Sequence, residues 1–273
     1  MPTNQSQKAQ AFAALHERPE PFVIATAFDG CSARMLAATG FEAIATSSWV
    51  QAAMIGKSDG QTTRDEALAH CRMIVEATEL PVSADLEKGF GDAPEDAAET
   101  IRAAGAIGLV GGSIEDATGD ANKPIYGRDM AGRRIEAAVA AARALPFHFT
   151  LTARTENFVR GIDDLDDTIA RLRAFEAAGA DVLMAPGLPD LQTVRQVCAS
   201  LEKPFSFMVG IPGRSFSVAE LADAGVRRIS LATSLYTAAL CATYDAAREI
   251  RDKGTFSYVE RAPGVDISAL LRR

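Results

Sequence analysis

The stretch Ala177-Ala178-Gly179-Ala180-Asp181-Val182-Leu183-Met184 joins the end of an alanine-rich segment to a short apolar run. Glycine just past a helix supplies the left-handed C-cap, and an unalternated apolar run reads as a strand buried on both faces. The same order recurs. Leu36-Ala37-Ala38-Thr39-Gly40 precedes Ala43-Ile44-Ala45-Thr46, and Ala103-Ala104-Gly105 precedes Gly108-Leu109-Val110. Asp223-Ala224-Gly225 precedes Arg228-Ile229-Ser230-Leu231. Each is the αβ half of a βα repeat. Working outward, strands are expected near 22–27, 43–48, 81–87, 107–115, 149–156, 181–186, 204–209 and 228–233. Helices separate them, among them Pro94 to Ala104 with proline in the first turn, Arg134 to Leu145, and Leu165 to Ala178. Eight alternating units favour a closed parallel (β/α)8 TIM barrel over an open sheet. A long helix from Ser234 to Lys253 and the tail from Phe256 to Arg273 exceed what a barrel needs. This C-terminal helical extension, 234–273, either packs against a partner subunit or caps the barrel end. No linker or low-complexity stretch divides the chain, so residues 1–273 read as one domain.

The totals agree with one large α/β unit. The chain has 273 residues, 48% of them hydrophobic, enough for a sizeable core. A formal net charge of -8 without a Lys/Arg run argues against nucleic acid as a partner, but not against a small anion. Cys31, Cys71, Cys198 and Cys241 lack metal or disulfide spacing, which suits a reducing, cytoplasmic location. Met1 to Gln10 is polar, unlike a signal peptide, and no apolar run is long enough to span a membrane.

Barrel chemistry belongs at the C-terminal strand ends and the loops that follow. Ser83-Ala84-Asp85-Leu86-Glu87-Lys88-Gly89-Phe90-Gly91-Asp92 runs from a strand into such a loop. Strand alternation puts Asp85 and Glu87 on one side, where they repel unless a cation such as Mg2+ lies between them. The competing reading is a solvated acidic loop. Neighbouring units end in Thr46-Ser47-Ser48-Trp49, Ile114-Glu115-Asp116 and Ala153-Arg154-Thr155-Glu156, and Asp59 lies in the loop after the second strand. So many polar groups at buried strand ends would be costly without a ligand or metal. Arg154 reads as a fork for a carboxylate or phosphonate, or as an internal ion pair with Glu115 or Glu156. Ser47 and Ser48 offer donors to the same anion, or form a satisfied small-residue turn. Trp49 walls the pocket or simply packs. His16, His70 and His148 all fall away from the expected mouth, and Cys31, at a helix start, reads as buried. Metal-assisted chemistry is what remains.

These residues, from about 20 to 240, resemble the isocitrate lyase and phosphoenolpyruvate mutase superfamily. The resemblance rests on Thr46-Ser47-Ser48 followed by Asp59, on Asp85-Leu86-Glu87-Lys88-Gly89-Phe90-Gly91, and on Ile114-Glu115-Asp116 and Ala153-Arg154-Thr155-Glu156. Ser217-Val218-Ala219-Glu220-Leu221 and Gly225-Val226-Arg227-Arg228-Ile229-Ser230 add to it. It implies a Mg2+-dependent enzyme (Mn2+ being an alternative) that acts on a small anionic 2-oxo acid through a metal-stabilised pyruvate enolate. Asp85 would hold the metal, with Asp59, Glu87 and Glu115 around it. Ser47, Ser48 and Arg154 would hold the substrate carboxylate, and Arg154, Asp59 and Glu115 would serve the chemistry. A homo-oligomer, dimer or tetramer, with an exchanged C-terminal helix is also implied.

Departures from the family pattern bear on the subfamily. Glu87 stands where the family usually has aspartate, and Ala117-Thr118-Gly119-Asp120-Ala121-Asn122-Lys123-Pro124-Ile125-Tyr126-Gly127 replaces the K-x-C-G-H lyase motif. Isocitrate and methylisocitrate cleavage are thereby disfavoured. Gly119 and Gly127 are candidate hinges of a lid carrying Asn122 and Lys123. Three readings stand: C–C cleavage of an oxaloacetate-like 2-oxo acid, C–P chemistry on phosphonopyruvate, and a non-catalytic binder of 2-oxo acids.

Overall fold

Eight short strands close a barrel in a computed structural model that describes residues 4–261, 266, 268 and 269. They are β1 (Phe22–Thr26), β2 (Ile44–Ala45), β3 (Val82–Asp85), β4 (Gly111–Glu115), β5 (Thr150–Arg154), β6 (Val182–Met184), β7 (Phe205–Met208) and β8 (Arg228–Ser230). Every neighbour pair is parallel, and β1 pairs with β8 to complete the ring. The helices are α1 (Gln5–Glu17), α2 (Gly30–Ala38), α3 (Ser48–Met54), α4 (Arg64–Ala77), α5 (Pro94–Ala106) and α6 (Arg128–Arg143). They continue as α7 (Leu165–Ala177), α8 (Leu191–Ala199), α9 (Val218–Asp223), α10 (Ser234–Lys253) and α11 (Tyr258–Arg261). Outward strand residues such as Ile44, Ala84, Leu151 and Phe207 meet the apolar faces of the surrounding helices in one large core.

Several elements differ from their expected limits, each for a local reason. β2 stops at Ala45 because Ser47 caps α3, its side chain accepting from Val50 N. β3 stops at Asp85, and Glu87 turns left-handed with φ 50°. β4 begins only at Gly111, since α5 runs on to Ala106 and Gly108 turns the chain at φ +98°. α6 starts at Arg128, six residues ahead of the expected Arg134, directly after Gly127.

The polar N-terminus also builds a helix that the sequence reading did not expect. α1 opens with a capping box in which Asn4 and Gln7 satisfy each other's backbone N–H groups. Its Ala9, Phe12, Leu15 and His16 are buried, and the first three plug the bottom of the barrel with Phe22, Ile24, Ala43 and Val110. Gly111 makes room for that plug: a β-carbon there would lie 2.7 Å from the Phe12 ring.

His16 Nδ1 donates to Phe12 O at 2.9 Å, while Nε2 is buried without a hydrogen-bond partner among the described residues. The ring meets Phe12 and Phe22 edge-on, at centroid distances of 4.9 Å in both cases. Burial, aided by the charge of Arg228, lowers its pKa to about 3. An unfolded histidine titrates near ~6.5, so below that pH the unfolded chain takes up a proton that the folded one refuses. The contribution is therefore complete above about pH 6.5 and is lost as pH falls toward 3. His16→Phe is expected to remove about 2 kcal/mol of acid destabilisation at pH 5. Thermal melts at pH 7.5 and 5.0 check this, and an equal loss in both proteins would refute it.

Among the described residues α10 has none fully buried, and Leu240, Tyr244 and Ile250 are exposed along it. Its first turn engages the barrel, through Leu235 on the core and Tyr236 against Phe28 and Trp49. Much of the expected tail beyond Arg261 lies outside the described residues.

Candidate active site

Asp85 stands at the C-terminal end of β3, its neighbours fixed by three adjoining units. Its Oδ2 accepts from Ser48 N at 3.2 Å and Ser48 Oγ at 3.1 Å, and its Oδ1 accepts from Glu87 N at 3.3 Å. Thr46 Oγ1 receives the Asp85 backbone N–H at 3.1 Å. The serine turn thus clamps the carboxylate, while Ser47 caps α3.

Glu87 reaches the same region, but by the left-handed turn after β3 and not by strand alternation. Thr62 Oγ1 donates to it at 2.8 Å. Burial, with Asp85 and Asp59 adding to it, raises its pKa to about 7. The Asp59 carboxyl is raised too, first by burial and then by Asp85.

Arg154 closes the opposite side. Its Nε lies 2.5 Å from Glu156 Oε1 and 3.5 Å from Glu115 Oε2, and its Nη1 lies 3.6 Å from Asp85 Oδ2. Burial works against its charge, but Glu156, Glu115 and Asp85 together more than offset that, so its pKa rises. Glu115 is held well above the usual carboxylate range by burial first and Glu156 second. The internal ion pair weighed for Arg154 is therefore present, with Glu156 as its nearest member. Asp116 faces away: it accepts from Thr155 Oγ1, Glu156 N and Arg171 Nη1 and ties the strand ends together.

A cavity of about 260 Å³ opens at this mouth, lined by Ser47, Ser48, Trp49, Asp59, Asp85 and Arg154. Trp49 is 42% exposed and meets Tyr236 edge-on at 6.2 Å, so it stands as cavity wall and not as core. Glu87 and Glu115 border an adjoining cleft with Gly119 and Arg160. Asn122 and Lys123 are exposed, and Lys123 lines a separate groove with Arg128 and Asp167. Gly127 caps α6 and borders that groove as well. Of the proposed lid residues, only Gly119 adjoins the site.

Sequence reasoning missed Arg160, whose Nη2 lies 3.2 Å from Glu156 Oε2, one helical turn on. The i,i+4 spacing from Glu156 was the available signal. It also missed the cavity wall from Met208 to Ile211 and Arg228, a charged residue inside a strand read as buried. Cys31 is half-buried, less enclosed than expected.

The donor set suits a hard cation. Among the described residues, no three or more His, Cys, Asp or Glu side chains converge as a cage. Mg2+ does not require one, since one or two carboxylates plus water commonly hold it. Asp85 fits this, beside Asp59 and Glu87, whose carboxyls burial and mutual repulsion push toward the neutral form.

Comparison with known proteins agrees with this geometry. The family model described as phosphoenolpyruvate phosphomutase matches residues 12–251. A solved structure from Burkholderia cenocepacia J2315, provisionally named a lyase/mutase, is 51% identical, with a TM-score of 0.96 and 98% of both chains covered. Oxaloacetate decarboxylase of Ectopseudomonas mendocina is 31% identical over 88% of this chain and 83% of its own length. The Corynebacterium glutamicum protein named probable 2-methylisocitrate lyase 2 is 33% identical over 67% of this chain. That match spans only 60% of the relative's length. With its closed barrel and its strand-end motifs, the chain belongs to the phosphoenolpyruvate mutase family, within the isocitrate lyase/phosphoenolpyruvate mutase superfamily of lyases and mutases.

Proposed function

We propose that this protein is a Mg2+-dependent lyase or decarboxylase that breaks the C–C bond beside the keto group of a small, oxaloacetate-like 2-oxo acid. The observation that carries the reading is the meeting of Asp85, Ser48 and Arg154 at one cavity mouth, with Asp59 alongside. Asp85 would hold Mg2+, with Asp59, Glu87 and Glu115 around it, partly through water. When bound, the ion supplies positive charge to the keto oxygen, where electrons collect as the bond breaks. Glu156 and Glu115 fix the Nε edge of Arg154, and its Nη edge, with Asp85 3.6 Å from Nη1, would hold the substrate carboxylate. Ser47 and Ser48 shape the turn that presents Asp85, and Trp49 walls the cavity beside them.

The test is pyruvate release across a panel of 2-oxo acids. Turnover is expected with Mg2+, to vanish on treatment with EDTA, and to return when the ion is restored. Full activity in EDTA-stripped protein would sink the proposal. A changed phosphonate signal in phosphorus NMR on phosphonopyruvate would assign C–P chemistry instead.

A further inference from the structure

Arg228 is a buried cation that the reading above does not use. It opens β8 with its side chain turned into the barrel and is 5% exposed. Its Nε donates to Ser206 Oγ at 3.1 Å and its Nη1 to Thr152 Oγ1 at 3.0 Å, both neutral groups. Among the described residues it makes no ion pair, and its Nη2 makes no hydrogen bond. Burial lowers its pKa only to about 10, so it stays charged at neutral pH. A buried guanidinium with only hydroxyl partners is costly unless an anion joins it.

The barrel interior around it is shaped for such a visitor. Parallel barrels ordinarily fill their axis with branched apolar side chains. Here Ser83, Ser113 and Ser230 line the same cavity as Arg228, below the mouth formed by Asp85 and Arg154. The cavity thus has two positive poles: Arg154, already surrounded by carboxylates, and Arg228, with none. A ligand whose first carboxylate lies at the mouth can turn a second acidic group toward Arg228.

We propose that Arg228 is a second anion receptor at the cavity floor, selecting 2-oxo dicarboxylates over 2-oxo monocarboxylates. This rests on the proposed 2-oxo-acid site and names the residue that sets its substrate class. Malate and lactate test it, because they are stable 2-hydroxy acids that differ by the distal carboxylate alone. Calorimetric titration of each into the Mg2+-loaded full chain is expected to show malate binding at least about tenfold tighter, as befits one charge-assisted contact. In Arg228→Met the ratio should fall to about one, with lactate affinity unchanged. Arg228→Lys should keep part of the preference and guards against a variant that fails to fold.

Loss of malate and lactate binding together in Arg228→Met would mark a structural role and overturn the proposal. An unchanged ratio, or no malate preference in the wild-type protein, would overturn it as well. Malate preference without pyruvate release from any 2-oxo acid would sink the proposed reaction while leaving this receptor standing.

Discussion

Asp85→Ala is expected to lower pyruvate release by at least about 10³-fold while leaving the barrel folded. Asp85 gathers three donors, Ser48 N, Ser48 Oγ and Glu87 N, and stands 3.6 Å from Arg154 Nη1. No other carboxylate at the mouth occupies that junction between the serine turn and the arginine. The side chain is only partly buried, so water can serve the freed Ser48 donors and the fold should survive. Asp85→Asn sharpens the test, since it keeps the shape and an acceptor oxygen but loses the charge. Turnover measured beside a thermal melt reads both effects. Near wild-type turnover in Asp85→Asn would show that charge at this position is not needed.

Arg134→Met should have the largest effect on stability. Arg134 is 1% exposed and sends its guanidinium from α6 into the loop after β3. It donates to the carbonyls of Lys88, Asp92 and Ala93 and lies 4.7 Å from the centre of the Tyr126 ring. Methionine fills similar space but takes the guanidinium donors from the Lys88 and Asp92 carbonyls, while Ala93 O keeps the Asp96 N–H. A loss of about 3–5 kcal/mol follows, or on the order of 10 °C in Tm. The same change should free the segment from Lys88 to Ala93 first, read as faster amide hydrogen exchange there than in the β5 strand. A Tm within about 2 °C of wild type would refute the assignment.

The barrel was legible because each βα unit repeats the same helix, glycine and apolar strand, and tertiary packing follows that local pattern. α10 matched its expected limits for a similar reason, being a continuous helical run closed by Gly254 in the left-handed region. α1 escaped because its buried residues are few and its surroundings polar, so its apolar face is weak in one dimension. At the site, strand-end residues were readable from their position, whereas everything delivered by loops was not. Glu87 illustrates this: the expected neighbourhood is right, but a left-handed turn brings it there, and nothing in strand periodicity encodes that turn. Asn122 and Lys123 stand exposed on a loop that the bridge between Ala117 and Ile125 folds back on itself, a placement that sequence spacing does not encode. Arg228 lay in plain view, yet its solitude depends on what the other strands do not supply.

The overall charge of the chain also fixes the sign of an encounter rate. Burial pushes Glu115, Glu87 and Asp59 toward the neutral form, and Asp85 and Glu156 face Arg154 and Arg160, so the far field is set by the formal net charge of -8. An organic acid diffusing toward the chain meets charge of its own sign, so long-range forces slow its arrival. Raising ionic strength from about 0.01 to 0.15 M shortens the screening length from about 30 to 8 Å. Association of an anion with this protein therefore speeds up with added salt, the reverse of the steered encounters that oppositely charged partners enjoy.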